Sequence, residues 1–282
     1  MSFLFLLSIH QAAFAADSKP SQENTNSALN DNVISIVADE WCPYNCAPDA
    51  KNPGIIIEIA KLAFAKVGKE IKYEIRPWTR AIDETRAGIH HAIVGASIDD
   101  APDFIFPEIH QAEMLNHFYV KNDNDWKFAG IDSLYKISLG VIKGYSYKDE
   151  LDSYIEKYSS DNTRIQFSSG EDALETNFKK LVTGRISVLI EDKNVVENFL
   201  MEHPEFANQI KSAGILEEID TNRLFIAFSP ANPKSKEFAK IITEETKRLI
   251  ESGELEKIKN KYINSDNNTT PVPETQSKND NK

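Results

Sequence analysis

The segment Trp41-Cys42-Pro43-Tyr44-Asn45-Cys46 holds the only two cysteines of the 282-residue chain. Two thiols at this spacing could form a local disulfide, supply half of a metal site, or run thiol redox chemistry. A tetrahedral metal needs about four ligands, and no histidine lies in the segment to help. Redox pairs usually leave two residues between the thiols rather than three. In an exported chain a Cys42–Cys46 disulfide is the expected outcome. So small a loop would add only on the order of 2 kcal/mol, so its use is to stiffen the segment. A second feature is Gly144-Tyr145-Ser146, which lies between a strand pattern and a helix pattern. Free backbone N–H groups at a helix start, with the positive end of the helix dipole, suit a carboxylate. Ser146 is the expected contact, with plain capping of the helix, supported by Asp149, as its structural alternative. His90-His91 invites a metal reading, but neighbours on a strand point to opposite faces, and no metal site is expected there. The chain carries no G-x-S-x-G, no histidines at metal spacing and no phosphate loop; catalysis and a cofactor are therefore not expected.

The composition narrows the partners. With 44 acidic against 32 basic side chains the formal charge is −12, which repels phosphate backbones and excludes nucleic acid as a natural partner. Residues 3–15 are apolar apart from Ser8, His10 and Gln11 and end in Ala13-Phe14-Ala15. That run is too short for a membrane helix of roughly 20 residues and reads as a signal peptide cut near Ala15. No cysteine stands beside the cut to take a lipid, so the mature chain is expected free in a periplasm. Residues 16–32 are polar and without aromatics, and 264–282 hold a single aliphatic, Val272. Both read as disordered tails.

The elements between the tails must place these residues. Val33 to Val37, Ile71 to Ile75 and Ala92 to Gly95 read as strands, separated by helices with Ile55, Ile59 and Leu62, then Ala81, Ile82 and Thr85, on one face. The pattern repeats with strands at 138–142, 164–167 and 186–190 and helices around Leu151 to Tyr158 and Leu174 to Leu181. Two βαβαβ units imply two α/β lobes with parallel sheets. The strand Leu224 to Phe228 and helices at 235–252 and 254–262 follow.

Three stretches resemble the bacterial extracellular solute-binding proteins of family 3, the periplasmic receptors of polar amino acid ABC importers. They are Asp132-Ser133-Leu134 with Gly140 to Tyr147, Asp172-Ala173-Leu174 through Gly184-Arg185 to Glu191-Asp192, and Phe225-Ile226-Ala227 through Asn232-Pro233 to Gly253-Glu254-Leu255 and Tyr262. With Trp41-Cys42-Pro43-Tyr44 and Pro53-Gly54, the likeness spans nearly all of 33–263. It implies an α/β, two-lobed type II periplasmic-binding-protein fold with two crossover hinge strands. Lobe 1 would comprise 33–122 and 225–263, and lobe 2 would comprise 128–220. It further implies a monomer that clamps a small polar solute between the lobes and delivers it to an inner-membrane ABC permease.

The resemblance also implies a site. Trp41 and Tyr44 take positions where relatives lay an aromatic face on the ligand, with packing beside the disulfide as the alternative. Gly95 and Ser97 end the third strand and would offer backbone groups, as would Gly144 and Ser146 from the other lobe. Asp192 matches the acidic residue that receives a ligand ammonium, or else caps the helix after it. One departure stands out. Relatives carry an Arg shortly after the third strand that forks onto the ligand carboxylate, whereas this chain reads Ser97-Ile98-Asp99-Asp100-Ala101-Pro102. Arg80, one turn into a helix whose start should face the cleft, or Lys143 would have to replace it, unless both are solvated surface charges. Two other readings stay open: a soluble sensory protein using the same clamp, and a periplasmic cyclohexadienyl dehydratase-like enzyme whose acid would be Glu40 or Glu191.

Overall fold

The structure is a computed structural model and describes residues 32–147, 149–216 and 222–263. The expected signal peptide and both expected tails lie outside these residues, apart from Asn32. Strands β1 (Val33–Ala38), β2 (Glu70–Ile75) and β3 (Ala92–Ala96) alternate with helices α1 (Ile55–Lys66) and α2 (Trp78–Arg86). After the short β4 (Ala112–Glu113) and β5 (Asn116–Lys121), the second unit runs β6 (Leu139–Ile142), α3 (Asp149–Tyr158), β7 (Ile165–Ser168), α4 (Ala173–Val182), β8 (Val188–Asp192), α5 (Lys193–Glu202) and α6 (Pro204–Ala207). The chain then runs through β9 (Ile210–Ile215), β10 (Arg223–Phe228), α7 (Ser235–Glu251) and α8 (Glu254–Ile263).

These strands form two sheets of five, in the orders β2-β1-β3-β10-β4 and β7-β6-β8-β5-β9. In each, three strands are mutually parallel; β10 or β5 runs antiparallel beside them, and the outermost β4 or β9 pairs antiparallel with that strand in turn. The chain crosses between the sheets twice. Strand β5 lies within the span the sequence assigns to lobe 1, yet it pairs with β8 and β9 in the second sheet. Phe118 of β5 explains this placement: it is fully buried among Val120, Val141, Val188 and Ile190 of that sheet.

Alternate strand residues serve opposite faces, so each sheet needs cover on both. In the first sheet Ile34, Ile36 and Phe228 pack with Phe64 of α1 and Phe238 of α7, while Val37, Ile93 and Ala227 pack with Trp78, Ala81 and Ile82 of α2. In the second, Val141, Val188 and Ile190 face Leu151 and Tyr154 of α3, while Tyr119 and Leu189 face Phe178, Val196 and Phe199. Parallel strands of this kind leave their carboxyl ends on one edge, where loops open into a crevice. Both sheets turn that edge toward each other.

Candidate functional site

The loops after the parallel strands meet in a cavity between the two sheets, lined by side chains of both. From the first sheet come Asp39 just past β1, Trp41, Trp78 at the start of α2, Gly95 in β3 and Asp100 after it; from the second come Tyr145, Ser146 and Tyr147 after β6, and Glu191 of β8. The walls carry three carboxylates and four large aromatic rings, and among the described residues no lysine, arginine or histidine lines the space.

Bonds between the two halves close this cavity. Trp41 Nε1 donates to Glu191 Oε1 at 2.9 Å. Tyr145 OH donates to Asp39, and Ser146 N–H donates to Asp100 Oδ1 at 2.9 Å. Tyr145 stands between the two tryptophans, edge-on to Trp41 at 6.1 Å and to Trp78 at 6.0 Å. A turn places Trp41: its N–H donates to the Asn45 carbonyl, and the Cys42–Cys46 disulfide ties the same six residues.

Taking carboxylates out of water disfavours their charged form. Burial pushes Glu191 up to about 8 against the bonds from Trp41 and the Asp192 N–H. It pushes Asp39 up to about 6 despite the Tyr145 bond. Asp100 also rises to about 6, through burial, although Ser97 and Ser146 donate to it. Among the described residues no basic side chain pairs with any of the three.

The residues expected from sequence fall into three groups. Trp41, Gly95 and Ser146 line the cavity. Gly95 is needed there, since its φ of +82 is left-handed and a Cβ would come within 2.7 Å of Asn45 Oδ1. Tyr44, Ser97 and Asp192 are buried beside the cavity without lining it. Asp192 caps α5 by accepting from the Val195 N–H at 3.0 Å, and it also accepts from the Leu115 N–H at 2.6 Å across the sheet boundary. Tyr44 OH lies 2.8 Å from the Glu113 carbonyl and 3.2 Å from Asp192 Oδ1. Ser97 binds Asp100 through both its N–H and its hydroxyl, each at 2.7 Å.

Arg80, Gly144 and Lys143 lie elsewhere. Arg80 is 66% exposed and bridges to Glu84 at 2.5 Å, and with Lys143 it lines an outer groove that shares Asp39 and Trp78 with the cavity. Gly144 packs against Thr79, at the junction between the halves. Glu40 sits in a separate acidic groove with Glu171, Glu175 and Glu202. His90 Nδ1 lies 2.7 Å from Ser35 Oγ, and His91 Nδ1 accepts from the Ser35 N–H. Among the described residues no group of three or more metal-ligating side chains is arranged for an ion, and no helix is long and apolar enough to cross a membrane.

Sequence reasoning missed Asp39, Trp78, Asp100 and Tyr145 as site residues and considered Glu191 only as an enzyme's acid. A general signal was available. Each follows or ends a parallel strand, or opens the next helix, where the crevice of such sheets must lie.

Solved structures with this architecture are numerous. The chain superposes on a structure reported for glutathione import in Gram-positive bacteria via GshT and the cystine ABC importer TcyBC of Streptococcus mutans, with a TM-score of 0.68 and 19% identity over 83% of this chain and 96% of that one. The arginine-bound substrate-binding protein AbpA of an amino acid ABC transporter from Streptococcus pneumoniae gives 0.63 and 19%, over 80% and 92%. A histidine kinase sensor domain with similarity to periplasmic binding proteins gives 0.66 and 15%, over 82% and 96%. At such identities the likeness is one of fold, the type II periplasmic-binding-protein fold. Among curated proteins, none matches this sequence. The family model for bacterial extracellular solute-binding proteins, family 3, matches residues 33–265, and the chain belongs to that family.

Proposed function

We propose that this protein is the soluble receptor of an ABC importer: it clamps a small polar solute, an amino acid or related compound, between its two sheets and delivers it to an inner-membrane permease. It works as a monomer in the periplasm once residues 1–15 are removed. The observation that carries this reading is the cavity itself. It sits at the carboxyl ends of both sets of parallel strands and is closed by side chains from both halves. Trp41, Gly95 and Ser146, with Asp39, Trp78, Tyr145 and Glu191, contact the ligand. Tyr44 and Asp192 brace the junction, Ser97 positions Asp100, and Gly144 lets the halves approach. Arg80 guards the outer groove. The protein binds and releases its solute without turning it over.

A thermal-shift screen of the full chain against amino acids, amines, organic acids and small peptides tests this. Binding to the closed form raises the melting temperature by mass action, by about 2.7 kcal/mol of stability at a hundredfold excess over Kd. The hit, recovered and weighed by mass spectrometry, should be unchanged. A flat response from folded protein contradicts the reading, and conversion of the solute supports the dehydratase-like alternative with Glu191 as its acid. The sensor-domain likeness favours one second reading, that the clamp reports its ligand to a membrane kinase. Liganded protein that stimulates ATP hydrolysis by permease-containing membranes supports import, whereas ligand-dependent autophosphorylation of a membrane kinase supports sensing.

A further inference from the structure

The cavity has an unusual balance of charge for an amino acid receptor. An α-amino acid brings a carboxylate, which needs cationic or several converging N–H donors, and the backbone donors that could serve at the junction of the halves are already used. Asp100 accepts from the Ser97 N–H and hydroxyl on one side of the cleft and from the Ser146 N–H on the other. The chain's own carboxylate thus takes the seat that backbone groups of both halves could offer a ligand. The next N–H, of Tyr147, donates to Asp152 at 2.8 Å. A second carboxylate brought beside Asp100 would meet Asp39 and Glu191 as well, with no basic side chain among the described residues of the cavity walls.

Other groups in the cavity lack partners. Glu191 is 2% exposed; its Oε1 accepts from Trp41 and from the Asp192 N–H, while Oε2 is buried with no hydrogen-bond partner. A buried acceptor left without a donor is costly, and a ligand N–H would relieve it. Trp78 Nε1 is likewise buried and unpartnered, which suits a hydroxyl or carbonyl elsewhere on the ligand. Trp41, Trp78 and Tyr145 supply the faces on which a cation is attracted. The present partners of Glu191 and Asp39 across the cleft, Trp41 N–H and Tyr145 O–H, are neutral donors that an incoming cation can displace.

We propose that the cleft takes a small organic cation that carries no carboxylate, an amine, guanidine or quaternary ammonium, with its charge beside Glu191 and Asp39 and its body between Trp41, Trp78 and Tyr145. This rests on the solute-binding reading and names its ligand class. The elevated proton affinity of Glu191, raised by burial to about 8, agrees with it: without a ligand this acid keeps its proton at neutral pH, and a cation drives it off.

Matched pairs decide the matter: agmatine and arginine, putrescine and ornithine, and ethanolamine and serine differ by one carboxylate, and choline carries a hydroxymethyl group where glycine betaine carries its carboxylate. Each is titrated calorimetrically into the full chain at pH 7.5 in two buffers of different ionisation enthalpy. The expected result is that in at least one pair the member without the carboxylate binds tenfold or more tighter, with net proton release. Glu191→Gln should weaken that amine at least thirtyfold. Asp100→Gly vacates the carboxylate seat, so the preference for the amine over its amino acid should shrink by tenfold or more. If amino acids bind and the amines are equal or weaker in every pair, the cation proposal is overturned while the solute-binding reading stands. If none of these compounds and none of the wider screen binds to folded protein, both fall. The wild-type comparison decides even if a variant does not fold.

Discussion

Glu191 concentrates the physical tension of this molecule in one side chain: it is buried, bonded at one oxygen to Trp41 and Asp192, and unsatisfied at the other. Its proton affinity is raised from the ordinary 4.5 to about 8 by burial. The folded state therefore favours the protonated acid, and the stability this contributes is complete below about pH 4.5 and is lost as pH rises toward 8. Melting curves of ligand-free protein between pH 5 and 8.5 should show a falling midpoint, and Glu191→Gln, whose amide oxygen can keep both existing bonds, should flatten the fall above pH 6. An unchanged profile in that variant would mean that Glu191 is charged and solvated in the ligand-free protein. Asp192 is a different case. It accepts from two backbone N–H groups, of Leu115 and Val195, and does not line the cavity, so Asp192→Ala should cost about 1–3 kcal/mol in chemical denaturation. Stability equal to wild type would deny it the bracing role. At this scale the sequence was partly legible. Trp41 and Ser146 stood out because their motif neighbours mark them, whereas Asp39 and Asp100 look like ordinary loop acids until the strands that precede them are seen to end in a shared crevice.

Elements decide whether those side chains meet. Gly144 adopts a left-handed φ of +87 after β6, and a Cβ there would lie 2.7 Å from Thr79 Oγ1 at the start of α2. Gly144→Ala should hold the halves apart and weaken the ligand found by screening by about tenfold, and adding Thr79→Ala should restore part of the loss. Full affinity in the single variant would show that the junction tolerates the methyl. Most of this layer could be read from periodicity, since the β-branched run at Val33 to Val37, the apolar run at Leu139 to Ile142 and the apolar stripes of α1 and α7 are strong patterns. The crossing strands could not. Strand β5 begins with Asn116 and His117 and ends with Lys121, and β9 carries Lys211, Ser212 and Gly214. Such mixed sequences become strands only because Phe118 and Ala213 find a core in the second sheet. The Cys42–Cys46 link belongs to this scale too. Reduction should loosen the turn that aims Trp41 and lower affinity more than melting temperature, measured with and without a reductant; a reduced protein with unchanged affinity would leave the disulfide no part in the site.

At the scale of the molecule, two sheets of similar build face each other across the cavity, where bonds from Trp41, Tyr145 and Ser146 each end on an acid of the opposite half. The formal charge of the whole chain is −12. The cavity is acidic in its own right, and burial raises the proton affinity of its carboxylates, that of Glu191 most. The two-lobed architecture was legible from the repeat of the βαβαβ pattern, and the ligand chemistry was not, because it depends on which acids the two halves bring together. Trp41 and Trp78 line the cavity, whereas Trp126 packs in the second half beside Phe118 and Phe128. A Trp126→Phe variant therefore reports on the cavity alone, and its fluorescence during titration with the tightest-binding compound of the screen is the most direct test that the solute sits between the sheets. A saturable change in intensity and wavelength, with the same Kd as calorimetry, is the result predicted; binding by calorimetry with no change in emission from Trp41 and Trp78 would place the solute elsewhere and contradict the account.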